Sequence, residues 1–459
     1  MIRCCALLAF LRLFTIDSYC ISAEQGPVYN VRNYGARGDG STLDTQALNN
    51  AIDACSSAGG GQVLVPVGKY LTGTVHLKSN VTLQLDAGAK LVGTTDLNQY
   101  ESFTPPDGCM LPTIPNWHRA LVLANGAENI AITGQGIING SNVVDAEGEE
   151  GTRGPHGVLF GNCKNVRLQG ISVHNAGNYA ILLEFTSDVE VRGIKVLGGY
   201  DGVHFRGWID NPCRNVTLRD CEFYTGDDCI AGWHWQDTLI DRCVLNSASN
   251  GIRLFGPAKH VIVHDCLFFG PGRYAWRTLG LTSRKNMASA LCIQPSAWGA
   301  TEGIVDDVQI SDVVMRDVGT PLHLAAQPPS TIGRITIDRL SATGIYRAAA
   351  SIESWVAEPI ARVDIRDSKL SFVGGFGPVW SDPAEAAMSY LTKQSDQVRP
   401  PGMNPRPLPA WGIYARHVAS LNLSDVRIEV DNQDDRPAII MNGVESLMLD
   451  NFTIPTVHR

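Results

Sequence analysis

Three aspartates carry the chemistry that this sequence offers. Asp227 and Asp228 stand side by side, and Asp201 precedes them by 26 and 27 residues. Carboxylates held close raise one another's pKa. One then stays protonated as an acid while another stays ionised as a base. The same oxygens could instead ligate calcium. The purely structural alternative is turn capping, a common use of Asp-Asp and Asp-Gly pairs. Adjacent residues of a regular strand face opposite sides. Asp227 and Asp228 can therefore share a site only at a strand end or bend, and Gly226 before them permits one.

A repeat decides whether Asp201 comes close. Asn165-Val166-Arg167-Leu168-Gln169-Gly170-Ile171 recurs as Asp188 to Ile194, Asn215 to Cys221, Asp237 to Cys243 and His260 to Cys266. The segments end at 171, 194, 221, 243 and 266, so the steps are 23, 27, 22 and 23. Each alternates apolar and polar residues, rich in β-branched side chains, as strands do. One strong strand per period of this length means a solenoid, and the lack of helices in the repeats points to a parallel β-helix. The pattern continues at Val308 to Val313, Ile335 to Leu340, Val363 to Ser368, Leu421 to Val426 and Leu447 to Phe452. Insertions fall at 270–290 and 376–411. Cys221, Cys243 and Cys266 form a buried column, with a disulfide between coils as the lesser reading.

Seven places after each segment the column reads Asn178, Asp201, Asp228, Asn250, Arg273. Asp201 thus stacks on Asp228, about 4.8 Å away. Vertical stacking of like charges favours a functional site over turn capping. The expected fold class is all-β: a single-stranded right-handed parallel β-helix. Asp44 is expected to cap a helix with apolar positions Ala47, Leu48, Ala51, Ile52 and Cys55, covering the open end of the solenoid. Gly59-Gly60-Gly61 ends it, and a strand follows over 62–70.

The formal net charge of -9 over 459 residues argues against nucleic acid and anionic membrane partners. Binding a uronate would need a local cluster of Arg or Lys. Residues 1–23 read as a signal peptide, making the protein secreted or periplasmic, with residues 24–459 as one β-helix domain. No later run reaches the ~20 apolar residues of a membrane span.

The chain resembles glycoside hydrolase family 28, the polygalacturonases and rhamnogalacturonases. The resemblance rests on Asn33 to Gly40 with Asp44-Thr45, on Tyr70-Leu71-Thr72-Gly73, on Leu77 to Leu83, and above all on Thr225-Gly226-Asp227-Asp228-Cys229-Ile230-Ala231. Tyr200-Asp201-Gly202 aligns with the family's Asn-Thr-Asp-Gly motif. The resemblance implies hydrolysis of a polysaccharide or oligosaccharide with inversion. Asp227 would be the general acid, and Asp201 and Asp228 would hold and deprotonate the attacking water. It implies no cofactor and no metal, and a monomer. Two departures matter. Asn250 replaces the histidine of the Gly-His-Gly motif. Cys292-Ile293-Gln294 stands where the Arg-Ile-Lys motif grips a galacturonate carboxylate. A neutral or differently substituted sugar is therefore as well supported, unless Arg253 or Arg273 compensates. Tyr200, Asn250, Arg253, Arg273 and Gln294 are expected to bind substrate. Trp233, Trp208 and Trp276 offer stacking faces, and His234 could stand in for the missing histidine. Two other classes remain open: a calcium-dependent lyase with Arg253 as base, and a non-catalytic glycan-binding β-helix.

Overall fold

The computed structural model describes residues 27–455 except 105–113, 115, 278–284, 298, 300, 376–400 and 402–404. The expected leader and most of the 376–411 insertion lie outside the described residues. The rest is a solenoid of parallel strands, three to a coil. One coil is Ile181–Glu184, Ser187–Arg192 and Lys195–Leu197; the next is Val203–Arg206, Cys213–Arg219 and Glu222–Thr225. Every strand pairs in parallel with its counterpart one coil on, as in Val189↔Val216↔Thr238. Three faces result, which we call front, second and third in chain order within a coil. Parallel crossovers of this kind are right-handed.

The repeat has a backbone cause. The leading residues Asn165, Asp188, Asn215, Asp237 and His260 all have φ between 52° and 56°. That left-handed bend falls at the second or third residue of each second-face strand, and Asn and Asp tolerate it best. The bends also pair side chains between coils: Asn215 Nδ2 donates to Asp188 Oδ1 at 2.8 Å. After the bend, alternate residues such as Val216 and Leu218 point into a continuous aliphatic interior. Burying each such side chain contributes about 1.5–3 kcal/mol. Cys221, Cys243 and Cys266 lie in that interior as free thiols, and no disulfide occurs among the described residues.

The capping helix is Thr45–Ser57, with Leu48, Ala51, Ile52 and Cys55 buried. Asp44 makes no side-chain bond to the helix. Its carboxylate instead accepts from the Arg37 and Gly38 amides at 2.7 and 3.0 Å, tying the preceding loop to the helix start. The strand expected over 62–70 is two strands, Gly61–Val65 and Gly68–Thr72, because Pro66 between them has no N–H for the ladder. No helix among the described residues is long and apolar enough to cross a membrane.

Candidate active site

Three successive front strands position the aspartates: β1 (Val203–Arg206), β2 (Ile230–Trp233) and β3 (Asn250–Leu254). Val203, Ile230 and Ile252 are in register. Two residues earlier on each coil stand Asp201, Asp228 and Asn250, so they stack as expected. The Asp228 amide donates to Asp201 Oδ1 at 3.2 Å, and the Asn250 amide to Asp228 Oδ1 at 3.0 Å. Asp227 and Asp228 lie in the bend between Glu222–Thr225 and β2. Thr225 Oγ1 and Ser247 Oγ both donate to the Asp227 carbonyl, at 2.7 and 2.5 Å, and hold that bend. A Cβ on Gly226 would lie 2.5 Å from the Gly199 carbonyl oxygen. Only glycine fits there, so the bend that lets both aspartates face one site is built into the coil contact. One oxygen from each of Asp201, Asp227 and Asp228 lies within 4.8 Å of the others, and all three residues are buried.

Each carboxylate has its own donors. Asp227 accepts from Arg153 Nη2 at 3.0 Å and from Trp276 Nε1 at 3.2 Å. Asp201 Oδ2 lies 2.6 Å from His204 Nδ1. Asp228 Oδ1 accepts from Asn250 Nδ2 at 2.7 Å, and its Oδ2 lies 3.6 Å from Arg253 Nη1. Burial pushes the Asp201 pKa well above the ordinary carboxylate range, and the charges of Asp227 and Asp228 push it further. Asp228 is raised by burial and by Asp227, with Arg253 and Asn250 opposing. Asp201 and Asp228 therefore hold their protons above the usual carboxylate range.

Several expected substrate contacts are placed differently. Asn250 spends its amide on the protein: Nδ2 donates to Asp228 and Oδ1 accepts from Ser289 Oγ at 2.9 Å. It orients Asp228. Tyr200 is buried between guanidinium groups, with Arg153 at 4.2 Å and Arg277 at 4.8 Å from its ring centroid. Trp233 is buried against Phe255, with the Arg206 guanidinium 4.5 Å over its ring, so it is a wall and not an open stacking face. His234 has φ 50° and turns to the opposite side, beside Trp208. It lines a depression with Pro212, Gln236 and Pro257, and burial lowers its pKa to about 4. It does not stand in for the missing histidine. Arg273 leaves the column, because the insertion at 270–290 breaks the offset count. Ser289 follows Asn250 in the ladder, and Arg273 lies over Tyr224 on the third face. At the other end Tyr179, not Asn178, precedes Asp201, two residues before the paired Ile181 and Val203. Gln294 is fully buried, with the Cys292 thiol 3.8 Å from its Oε1. Arg253 is in the site. Its Nε and Nη2 are buried with no hydrogen-bond partner among the described residues.

Two site residues escaped the sequence reading. Arg153 lies in a loop outside the repeat, so no offset could place it. His204 had a signal: three residues after Asp201, it occupies the next outward position of the same front strand.

A family profile described as rhamnogalacturonase A/epimerase, pectate lyase-like, matches residues 28–253. The chain is 37% identical over 255 residues to an exo-poly-α-D-galacturonosidase of Dickeya chrysanthemi, covering 52% of this chain and 40% of that protein. It is 24% identical over 374 residues to an exopolygalacturonase of Arabidopsis thaliana, covering 76% and 80%. The first curated relatives are thus matched over 44%, 80% and 40% of their own length. Among solved structures, a hyperthermoactive exopolygalacturonase from Thermotoga maritima shares the fold, with a TM-score of 0.60 at 20% identity over 91% of this chain and 92% of that one. Over residues 28–253, just under half of the chain, motifs and coil geometry are similar to the polygalacturonase-like, pectin-lyase-like β-helix family, glycoside hydrolase family 28.

Proposed function

We propose that the chain is a secreted glycosidase that hydrolyses O-glycosyl bonds of a pectic or related polysaccharide. The observation that carries this is the convergence of Asp201, Asp227 and Asp228 within 4.8 Å. Asp227 gives its proton to the glycosidic oxygen as the bond to the anomeric carbon breaks. Asp201 and Asp228 hold a water; one of them takes its proton as the water oxygen bonds the anomeric carbon. In two-carboxylate enzymes a spacing near ~5 Å goes with retention and ~6.5–9.5 Å with inversion. The present cluster is close, so inversion rests on the family resemblance. Early-time NMR of the released anomer tests it.

Arg253 supports a sugar that carries a carboxylate. A buried guanidinium with two unspent nitrogens beside Asp228 suits bidentate carboxylate binding. Cys292, paired with Arg253 on the next strand, and buried Gln294 add no charge, so the grip comes from one guanidinium. On the coils before Asp201 the front face is filled: Trp117, His118 and Tyr179 are all at most 5% exposed, and Arg206 of the Asp201 coil lies over the Trp117 ring. A filled flank supports cleavage from a chain end. The lyase reading fits less well, because a calcium ion would displace donors already in place and sit beside Arg153 and Arg253. Export and a single domain from residue 24 complete the proposal.

The test is a screen of pectic polysaccharides and aryl glycosides with the Asp227→Asn variant as control. Reducing ends released by the wild type and not by the variant support the reading. Unsaturated products, or no cleavage of any substrate, overturn it.

A further inference from the structure

We infer that His204 is a positioning residue for Asp201, holding its carboxylate toward the water through Nδ1. The inference rests on the glycosidase reading above and adds a part that the family motifs do not supply. The Nδ1 to Asp201 Oδ2 distance is 2.6 Å, shorter than the other described contacts of the three carboxylate groups. Asp201 Oδ1 is taken by the Asp228 amide, so both oxygens of Asp201 are fixed by donors on two different coils. The imidazole is itself fixed. It lies flat on Tyr179, with centroids 3.9 Å apart and planes at 5°. Trp233 meets it edge-on at 6.1 Å, and Phe255 lies at 5.6 Å. Tyr179 is held in turn, its hydroxyl accepting from Arg206 Nη2 at 3.0 Å.

The surroundings choose the protonation state. Burial holds its pKa well below the ordinary value, and the charges of Arg206 on the same strand, Arg153 from the loop, His156 from an earlier coil and Arg253 from a later one act in the same direction. A neutral imidazole has one N–H. Donated from Nδ1, it stabilises the ionised Asp201 against the charges of Asp227 and Asp228. Without it, Asp201 would ionise only at higher pH. His204 Nε2 is buried without a partner among the described residues, which leaves the N–H free to sit on Nδ1.

The experiment compares His204→Phe, which keeps the stack on Tyr179 and loses the donor, with His204→Asn, whose amide restores a donor. For His204→Phe we expect kcat to fall about 100-fold with KM within about 3-fold, and the acid limb of the kcat profile to move up by about one pH unit. His204→Asn should recover kcat to within about 10-fold of wild type. Unchanged kcat in the Phe variant overturns the inference, as does an acid limb that stays or moves down. Equal losses in both variants with equal drops in Tm also overturn it, since they mark a packing role. A second arm needs no turnover. Proton NMR of the resting protein should show a downfield, slowly exchanging imidazole N–H that vanishes in both His204→Phe and Asp201→Asn. Its absence sinks the positioning role even if hydrolysis is real, and its presence in a protein that cleaves nothing separates this inference from the activity.

Discussion

Two ladders of aspartates climb the same solenoid, one on the front face and one at a back edge. At the back edge Asp220 pairs with Arg242 at 2.8 Å and Arg192 at 3.4 Å, and Asp312 pairs with Arg339 at 2.6 Å. These groups are well exposed, and their arginines hold the Asp220 and Asp312 pKa values below the ordinary range. On the front, Asp201 and Asp228 stack with the same spacing. They are buried, like charge meets like charge, and both pKa values are raised. The residue type and the coil step are shared. Only the neighbours differ, and a scaffold alone would alternate signs on both faces. A like-charged, desolvated ladder is what a site is expected to look like, at a cost in stability that a scaffold has no reason to bear.

The sharpest way to break this comparison is to remove one front carboxylate. Asp227→Asn should lower kcat by about 10²–10⁴-fold with the far-UV spectrum unchanged; steady-state assays on the best substrate of the screen measure it. Retained activity would make the front ladder structural after all. Next in size is Arg253→Met, expected to raise KM on the order of 10–100-fold for a uronate-bearing substrate while leaving neutral aryl glycosides unaffected. Arg253→Lys should recover part of the loss only, since a point charge lacks the fork. Equal effects on charged and neutral substrates would remove the carboxylate from the proposal.

How much of this was open to sequence reading follows from how local each cause is. The fold was legible because five coils repeat the same left-handed residue and the same alternation, so five segments state one rule five times. The stacking of Asp201, Asp228 and Asn250 followed from that rule by counting. Counting failed where an insertion intervened, and Arg273 was misplaced for that reason alone. Side-chain direction was the second limit. His234 follows Trp233 by one residue, yet its positive φ sends it to the far side, and a single sequence does not show a corner at a His. Arg153 was out of reach, because only the folded loop brings it to Asp227.

A smaller effect tests the cost of the front ladder directly. Asp201 has a folded pKa raised above its unfolded value, so between those two values the native state binds more protons than the unfolded chain. Stability then falls as pH rises through that window. Asparagine has the same shape and no charge. Asp201→Asn should therefore leave Tm unchanged near pH 3, where the carboxyl is protonated in both states, and raise it above wild type at pH 7, by about 1–2 °C for a chain of this size. Thermal melts across that range measure the difference. A variant less stable than wild type at pH 7 would mean that the His204 and Asp228 contacts outweigh the like-charge cost.

The back ladder supplies the smallest expected effect, and it is the control that gives the others meaning. Arg339→Gln removes one partner of Asp312, leaving His264 Nε2 at 3.5 Å and a carboxylate that water already reaches. Exposed pairs contribute little, because solvent screens the attraction and two long side chains lose freedom to form it. We expect no measurable change in Tm at 0.15 M salt and no change in kcat or KM. If Arg339→Gln instead destabilised the chain as much as Asp201→Asn changed it, the two ladders would be energetically alike. The difference between them would then carry no functional meaning, whatever the activity assays had shown for Asp227.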